Sequence, residues 1–208
     1  MPATTPHGTE IGTALAYSDS PPYVAGIDSA LARTGVAIIE LIGDSCRART
    51  SVVATALTED SIPGQYQRIE SVVNGVDVFI PRRPAELALI EAPALEASGG
   101  NPLERAAVWY GIVGVLIHRG TPLAKVAPTT LKKWVTGRGG SVKNPVEKRH
   151  IVAAMHTMWP GLPCTASELR HHECESLGLA HMAAQHLGWP VPVQRHHAVS
   201  LAVVKWPP

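Results

Sequence analysis

Tyr23-Val24-Ala25-Gly26-Ile27-Asp28-Ser29 is an apolar run that ends in a carboxylate, and the chain then passes Thr34-Gly35 into a second apolar run, Val36-Ala37-Ile38-Ile39. This pattern reads as a β-hairpin with Asp28 at its mouth. A carboxylate flush against a buried strand is costly to desolvate unless it is paired or bound to a cation. Asp before Ser is also common as a plain turn residue, so the position acquires chemical meaning only through partners elsewhere in the chain.

The first such partner follows a possible helix from Gln65 to Phe79. Leu87-Ala88-Leu89-Ile90-Glu91 is a short apolar run that again ends in a carboxylate, and Pro93 stops it. Asn101-Pro102 then caps a helix in which Leu103, Ala106, Ala107, Tyr110, Val113, Gly114 and Ile117 recur at helical spacing up to Gly120. Leu123 to Val126 reads as a strand, Pro128 as a helix start, Thr136 to Ser141 as a loop, and Asn144-Pro145 as the cap of a helix running to about Met158. A last long helix is expected from about Ala166 to Leu187. The polar stretch around Arg47 and Arg49 is given no element, and the proline-rich end after Trp189 is left unassigned, with turns of helix suggested only around His196 to Val204. A hairpin followed by helices alternating with short strands predicts an α/β domain, a mixed sheet covered by helices. Ligands in such sheets bind beyond the carboxyl ends of strands, where Asp28 and Glu91 would meet if their strands are neighbours.

The second partner set lies in that last helix, Glu168-Leu169-Arg170-His171-His172-Glu173-Cys174-Glu175. At about 100° per residue, His172 and Glu175 are about 60° apart and His171 and Glu175 about 40° apart, whereas Glu173 is turned about 160° from Glu175. Two strand carboxylates with a helical carboxylate and imidazole suit two divalent cations flanking a phosphodiester. Oxygen-rich ligation favours Mg²⁺ or Mn²⁺. The imidazole leans toward Mn²⁺ or toward a base acting on the water, and both roles stay open.

Length and composition fit one globular domain of 208 residues, 45% hydrophobic, with a formal charge of +1. Residues 1–22 read as a flexible leader, 23–187 as the domain and 188–208 as a C-terminal tail. The near-neutral charge gives no global drive toward polyanions. Lys132, Lys133, Arg138, Lys143, Lys148 and Arg149 nevertheless concentrate basic residues between 125 and 150, a candidate phosphate-binding face. Cys46, Cys164 and Cys174 are odd in number and lack zinc spacing, which points to a reducing compartment such as the cytoplasm and away from zinc. No run is apolar enough to span a bilayer, so no membrane role is expected.

The order Gly26-Ile27-Asp28, Thr34-Gly35, Leu89-Ile90-Glu91 and a late helix with His172 three residues before Glu175 resembles the RuvC group of Holliday junction resolvases, in the ribonuclease H-like superfamily. Lys132, Thr136-Gly137-Arg138-Gly139 and Lys143 repeat a second signature of that group, the second lysine standing eleven residues after the first. The likeness runs from about Tyr23 to Leu187. It implies a ribonuclease H-like fold and a metal-dependent endonuclease that resolves four-way junctions by paired phosphodiester hydrolysis.

Carried over residue by residue, Asp28, Glu91, His172 and Glu175 would be the catalytic and metal-binding set, holding two Mg²⁺ or Mn²⁺ ions per site. Lys143 would be the catalytic lysine, and Lys132, Lys133 and Arg138 would contact DNA. A homodimer is implied, with the Leu103 to Ile117 helix as candidate interface, and bacteriophage-encoded members are the more similar, which would place the protein in the host cytoplasm. Two departures stand out: Glu175 replaces the usual Asp, and Ala94-Leu95 stand where members carry an aromatic wedge. They keep two alternatives in view, a less selective nuclease for branched or flapped DNA and a junction-binding protein without cleavage. A strand ending Gly-Ile-Asp also occurs in actin-like ATPases, but no second glycine-rich phosphate loop accompanies it here.

Overall fold

The computed structural model describes residues 20–56, 59–93, 101–140, 144–162 and 170–208. Its elements are β1 (Tyr23–Asp28), β2 (Arg33–Ile42), β3 (Ser45–Ala54), α1 (Ile62–Phe79), β4 (Leu87–Glu91), α2 (Pro102–His118), β5 (Leu123–Val126), α3 (Pro128–Thr136), α4 (Lys148–Met158), α5 (Arg170–His186) and α6 (His197–Leu201). The five strands form one mixed sheet in the order β3-β2-β1-β4-β5. β1, β2 and β3 run antiparallel, while β1, β4 and β5 run parallel.

Alternation along β1 divides the core. Ala25 and Ile27 face one side, where Val72 and Val76 of α1 and Val108, Ile112 and Leu116 of α2 cover them. Val24 faces the other, with Leu131 and Trp134 of α3, Ile151 of α4 and Leu177, Ala180 and Ala183 of α5. Helices on both faces explain why β1 and β4 read as continuous apolar runs: neither strand has a solvent side. Asn101 caps α2 through its side-chain oxygen, which accepts from the Leu103 N–H at 3.0 Å, and Gly120 closes it in the left-handed region at φ 71°, as the sequence predicts.

Three elements depart from the expectation. β3 is a ten-residue strand where no element was expected. It is a sheet edge, so only Cys46 and Ala48 pack toward the core on the α5 side, while Arg47 pairs with Glu40 on β2 at 2.9 Å and Arg49 lies over the Phe79 ring. Such half-solvated alternation has little apolar signal. α4 begins at Lys148, capped by Glu147 in a reciprocal box with His150, so Asn144-Pro145 lies ahead of the helix and does not cap it. The C-terminal segment contains α6, whose buried His197 stacks on Trp134 at 4.0 Å, and Val191 and Val204 enter the core. The start expected for the last helix, near Ala166, lies outside the described residues, and α5 is described from Arg170.

Candidate active site

Because β1 and β4 are parallel neighbours with Ile27 opposite Ile90, the residues that follow, Asp28 and Glu91, leave the sheet side by side at its carboxyl edge. The sequence predicts this meeting only on condition that the strands pair, and they do. Glu91 is fixed from behind: the Trp109 indole N–H donates to its backbone carbonyl at 2.8 Å.

α5 delivers the other half of the site by lying directly on the backbone of β1 and β2. A Cβ at Gly26 would stand 2.1 Å from the Ser176 carbonyl oxygen and 2.3 Å from the Ala180 nitrogen, and one at Gly35 would stand 2.1 Å from the His172 carbonyl oxygen. Only glycine permits this approach. The two glycines of the opening motif are therefore what brings the helix down onto the strands.

At this separation His172 Nδ1 lies 2.7 Å from Asp28 Oδ2, and both side chains are largely buried. Asp28 also shares side-chain hydrogen bonds with Glu91 and Glu175. Burial, then the charge of Asp28 and the bond to it, push the Glu91 carboxyl up to about 10, against the pull of Lys132. Burial and Asp28 likewise push Glu175 up to about 8, with Lys148 and Lys132 opposing. The cause is mutual: three carboxylates crowded out of water repel one another, and protons on Glu91 and Glu175 relieve the repulsion. A divalent cation would relieve it instead. The donor set, three hard carboxylates and one imidazole, fits such an ion.

His171 also faces this region, contrary to a choice of one histidine or the other. Ligand atoms of His171, His172 and Glu175 all lie within 4.8 Å of one another. His171 Nε2 is 2.7 Å from the Lys148 ammonium, so this lysine donates to it and the ring is neutral; burial, His172 and Lys148 hold its pKa down to about 4. Glu173 is turned away as its helical angle predicts, buried near Thr50 of β3 at 3.3 Å.

Of the expected DNA-contacting residues, Lys132 is near enough for its charge to act on both Glu91 and Glu175. Lys133, next on α3, is exposed and makes no contact with these carboxylates among the described residues. Arg138 is exposed beyond α3 and lines a cavity of about 440 Å³ with His150 and His196, apart from the carboxylates. Lys143 and the Ala94-Leu95 segment lie outside the described residues. Two neighbours of the site were missed as such: Lys148, grouped only with the basic stretch, and Trp109, for which no local signal exists.

The sequence model of the crossover junction endodeoxyribonuclease RuvC matches residues 24–159. The chain belongs to the RuvC family. Two curated members show the distance within it: the Acidovorax RuvC is 26% identical over 163 residues, covering 76% of this chain and 81% of that one. The Neorickettsia sennetsu RuvC is 30% identical over 129 residues, covering 60% and 75%. Among solved structures, Thermus thermophilus RuvC in complex with a Holliday junction substrate superposes with a TM-score of 0.57 at 17% identity, covering 83% of this chain and 99% of that one. The fowlpox virus resolvase bound to substrate Holliday junction DNA gives 0.51 at 14%, covering 79% and 98%. These two likenesses establish the ribonuclease H-like fold. None of the described helices of this RuvC family member is long and apolar enough to cross a membrane.

Proposed function

We propose that the chain is a metal-dependent, structure-selective DNA endonuclease that resolves four-way junctions, with Asp28, Glu91, His172 and Glu175 as its catalytic and metal-binding residues. The observation that carries this reading is the partly buried cluster of three carboxylates and an imidazole at the carboxyl edge of β1 and β4, in a chain of the RuvC family. Mg²⁺ or Mn²⁺, two per site, would neutralise charge on the scissile phosphate and make a bound water nucleophilic near neutral pH. The cleaved ends would carry a 5′-phosphate.

The side chains have separable tasks. Asp28 accepts from the His172 ring and so fixes its rotation, leaving the Nε2 edge to bind or to take a proton from water. Trp109 holds the Glu91 backbone, and the two glycines hold α5, so the carboxylates keep their places when their protons leave. Lys132 and Lys148 supply positive charge beside the carboxylates for the incoming phosphate, and Lys143 is proposed to act on charge developing at that phosphate. Lys133 and Arg138 are assigned to the DNA arms.

A four-way junction requires two matched cuts, which a homodimer supplies. Leu103, Tyr110 and Ile117 are exposed on α2 and recur every seven residues, a stripe suited to a second copy. Residues 23–187 are assigned as the nuclease domain after a leader at 1–22, with the C-terminal segment 188–208 packed into its core through Val191, His197 and Val204, working in the cytoplasm, of a host cell if phage-encoded.

The test is a labelled four-way junction incubated with the protein in Mg²⁺ and in Mn²⁺, beside Asp28→Asn. Paired symmetric nicks that disappear in the variant support the reading. Binding without nicks in either metal would refute catalysis and leave a junction-binding protein, while equal cutting of flaps and junctions would favour a general branched-DNA nuclease.

A further inference from the structure

A groove of about 510 Å³ opens beside the carboxylate cluster, lined by Ala30, Ala32, Arg33, Ala54, Thr55, Ala56 and His172. His172 is the wall it shares with the metal-binding residues. The other residues come from the β1–β2 turn and from the end of β3, on the side of β1 opposite to β4, β5 and Lys132. The walls are braced. Thr34 Oγ1 donates to the Ala30 carbonyl and accepts from its N–H, the Thr55 N–H donates to Ala32, and the Thr55 hydroxyl donates to Leu31.

Its chemistry is selective. Four alanines line it without bulk, and among the described residues its one ring is the His172 imidazole and no carboxylate lines it, so it offers little stacking surface for a base and no carboxylate acceptor for base N–H groups. One cationic group lines it and a second stands next to its wall at Thr55. Arg33 is exposed on its rim and close enough for its charge to act on His171, and Arg68 of α1 reaches the Thr55 hydroxyl at 3.4 Å. Arginine forks of this kind match phosphate oxygens.

We infer that this groove is a sequence-independent binding site for the deoxyribose-phosphate backbone of the strand being cut, with Arg33 and Arg68 taking its phosphates and the alanine floor its sugars. The inference rests on the nuclease reading above. β1 and β3 are two strand spacings apart, about 10 Å, so the phosphates held here are near neighbours of the scissile one. With Lys132 on the β5 side and the two arginines on the β3 side, the strand would cross the whole carboxyl edge of the sheet and be held on both sides of the cut.

The experiment measures four-way junction affinity by fluorescence anisotropy without divalent cation, across a NaCl series, for the full chain and its variants. Arg33→Ala and Arg68→Ala are each expected to lower the slope of log Kd against log salt by about 0.7 to 1, as loss of one phosphate contact requires. Arg33→Lys should retain most of the slope. Ala32→Glu, at an exposed position that leaves the core untouched, should weaken binding by at least about tenfold at low salt by placing a carboxylate in the path. Arg82→Ala, in the loop past the far end of α1 and paired with Asp77, should match wild type. Slopes of both alanine variants equal to wild type, or unimpaired binding by Ala32→Glu, would overturn the inference while wild-type cleavage in Mg²⁺ left the nuclease reading intact. Failure of the wild-type protein to bind any junction would overturn both.

Discussion

Replacing Gly35 with alanine should disable the site without touching any ligand. The added Cβ would sit 2.1 Å from the His172 carbonyl oxygen and 2.7 Å from its carbonyl carbon, and both are backbone atoms that cannot rotate aside. Ordinary contact begins at 3.4 Å, so α5 and β2 must separate by roughly 1.3 Å at that point. A shift of that size along the His172–Asp28 direction stretches their 2.7 Å bond to about 4 Å, beyond hydrogen-bonding range. Overpacking of this kind costs about 1–3 kcal/mol of stability, which a domain of this size survives. Misplacing a catalytic group by about 1 Å costs roughly 10²-fold in rate. Single-turnover nicking of a junction in saturating Mg²⁺, with folding checked by urea denaturation, reads both quantities. Gly161→Ala, where an added Cβ has nothing within 4 Å, is the control. A folded Gly35→Ala protein that nicks within about threefold of wild type would refute the claim that this close approach positions His172.

Activity should rise as pH climbs through about 8 and toward 10, because Glu91 and Glu175, pushed up to about 10 and about 8, must lose protons for a cation to bind. Lys148 lowers the Glu175 value, so Lys148→Ala should move the pH–rate curve to higher pH and raise the Mg²⁺ concentration needed at pH 7. Trp109→Phe removes the bond to the Glu91 carbonyl and should cost about 1 kcal/mol of stability with several-fold slower cleavage; unchanged cleavage would mean that β4 alone fixes Glu91. His181 accepts from the Trp159 indole and donates to the Pro192 carbonyl, and burial holds its pKa down to about 4 from 6.5. The unfolded chain therefore binds the extra proton first. The stability this neutral ring contributes is full above about 6.5 and is lost as pH falls toward 4, by up to roughly 3 kcal/mol. Urea midpoints at pH 7 and pH 4.5 should show that loss in wild type and less of it in His181→Gln.

The legible parts of the chain were those with a one-dimensional signature. β1 and β4 are apolar on both faces and stand out as runs, and β5 keeps three apolar residues of four; α2 carries its own cap, proline and closing glycine. β3 was invisible because an edge strand needs few apolar residues and its arginines face solvent, a neighbouring glutamate and a phenylalanine ring. The α4 start was misplaced because Asn144-Pro145 has the chemistry of a cap, while the reciprocal bonds of Glu147 and His150 that actually start the helix are an uncommon variant of the capping box. His197 could not be foreseen as a buried partner of Trp134, since stacking between residues so far apart in the chain leaves no local trace.

Sequence by itself determined which groups the site would contain: two strand-end carboxylates, and a helix whose 100° rotation sets His172 and Glu175 on one side and Glu173 on the other. Those are consequences of local geometry, fixed as soon as the chain becomes strand or helix. Only the tertiary structure decided that β1 and β4 are adjacent, that α5 lies on Gly26 and Gly35 closely enough for His172 to reach Asp28, and that His171 and Lys148 share the site. Strand order and helix approach depend on how two apolar faces pack against one sheet, and packing acts between residues more than a hundred positions apart.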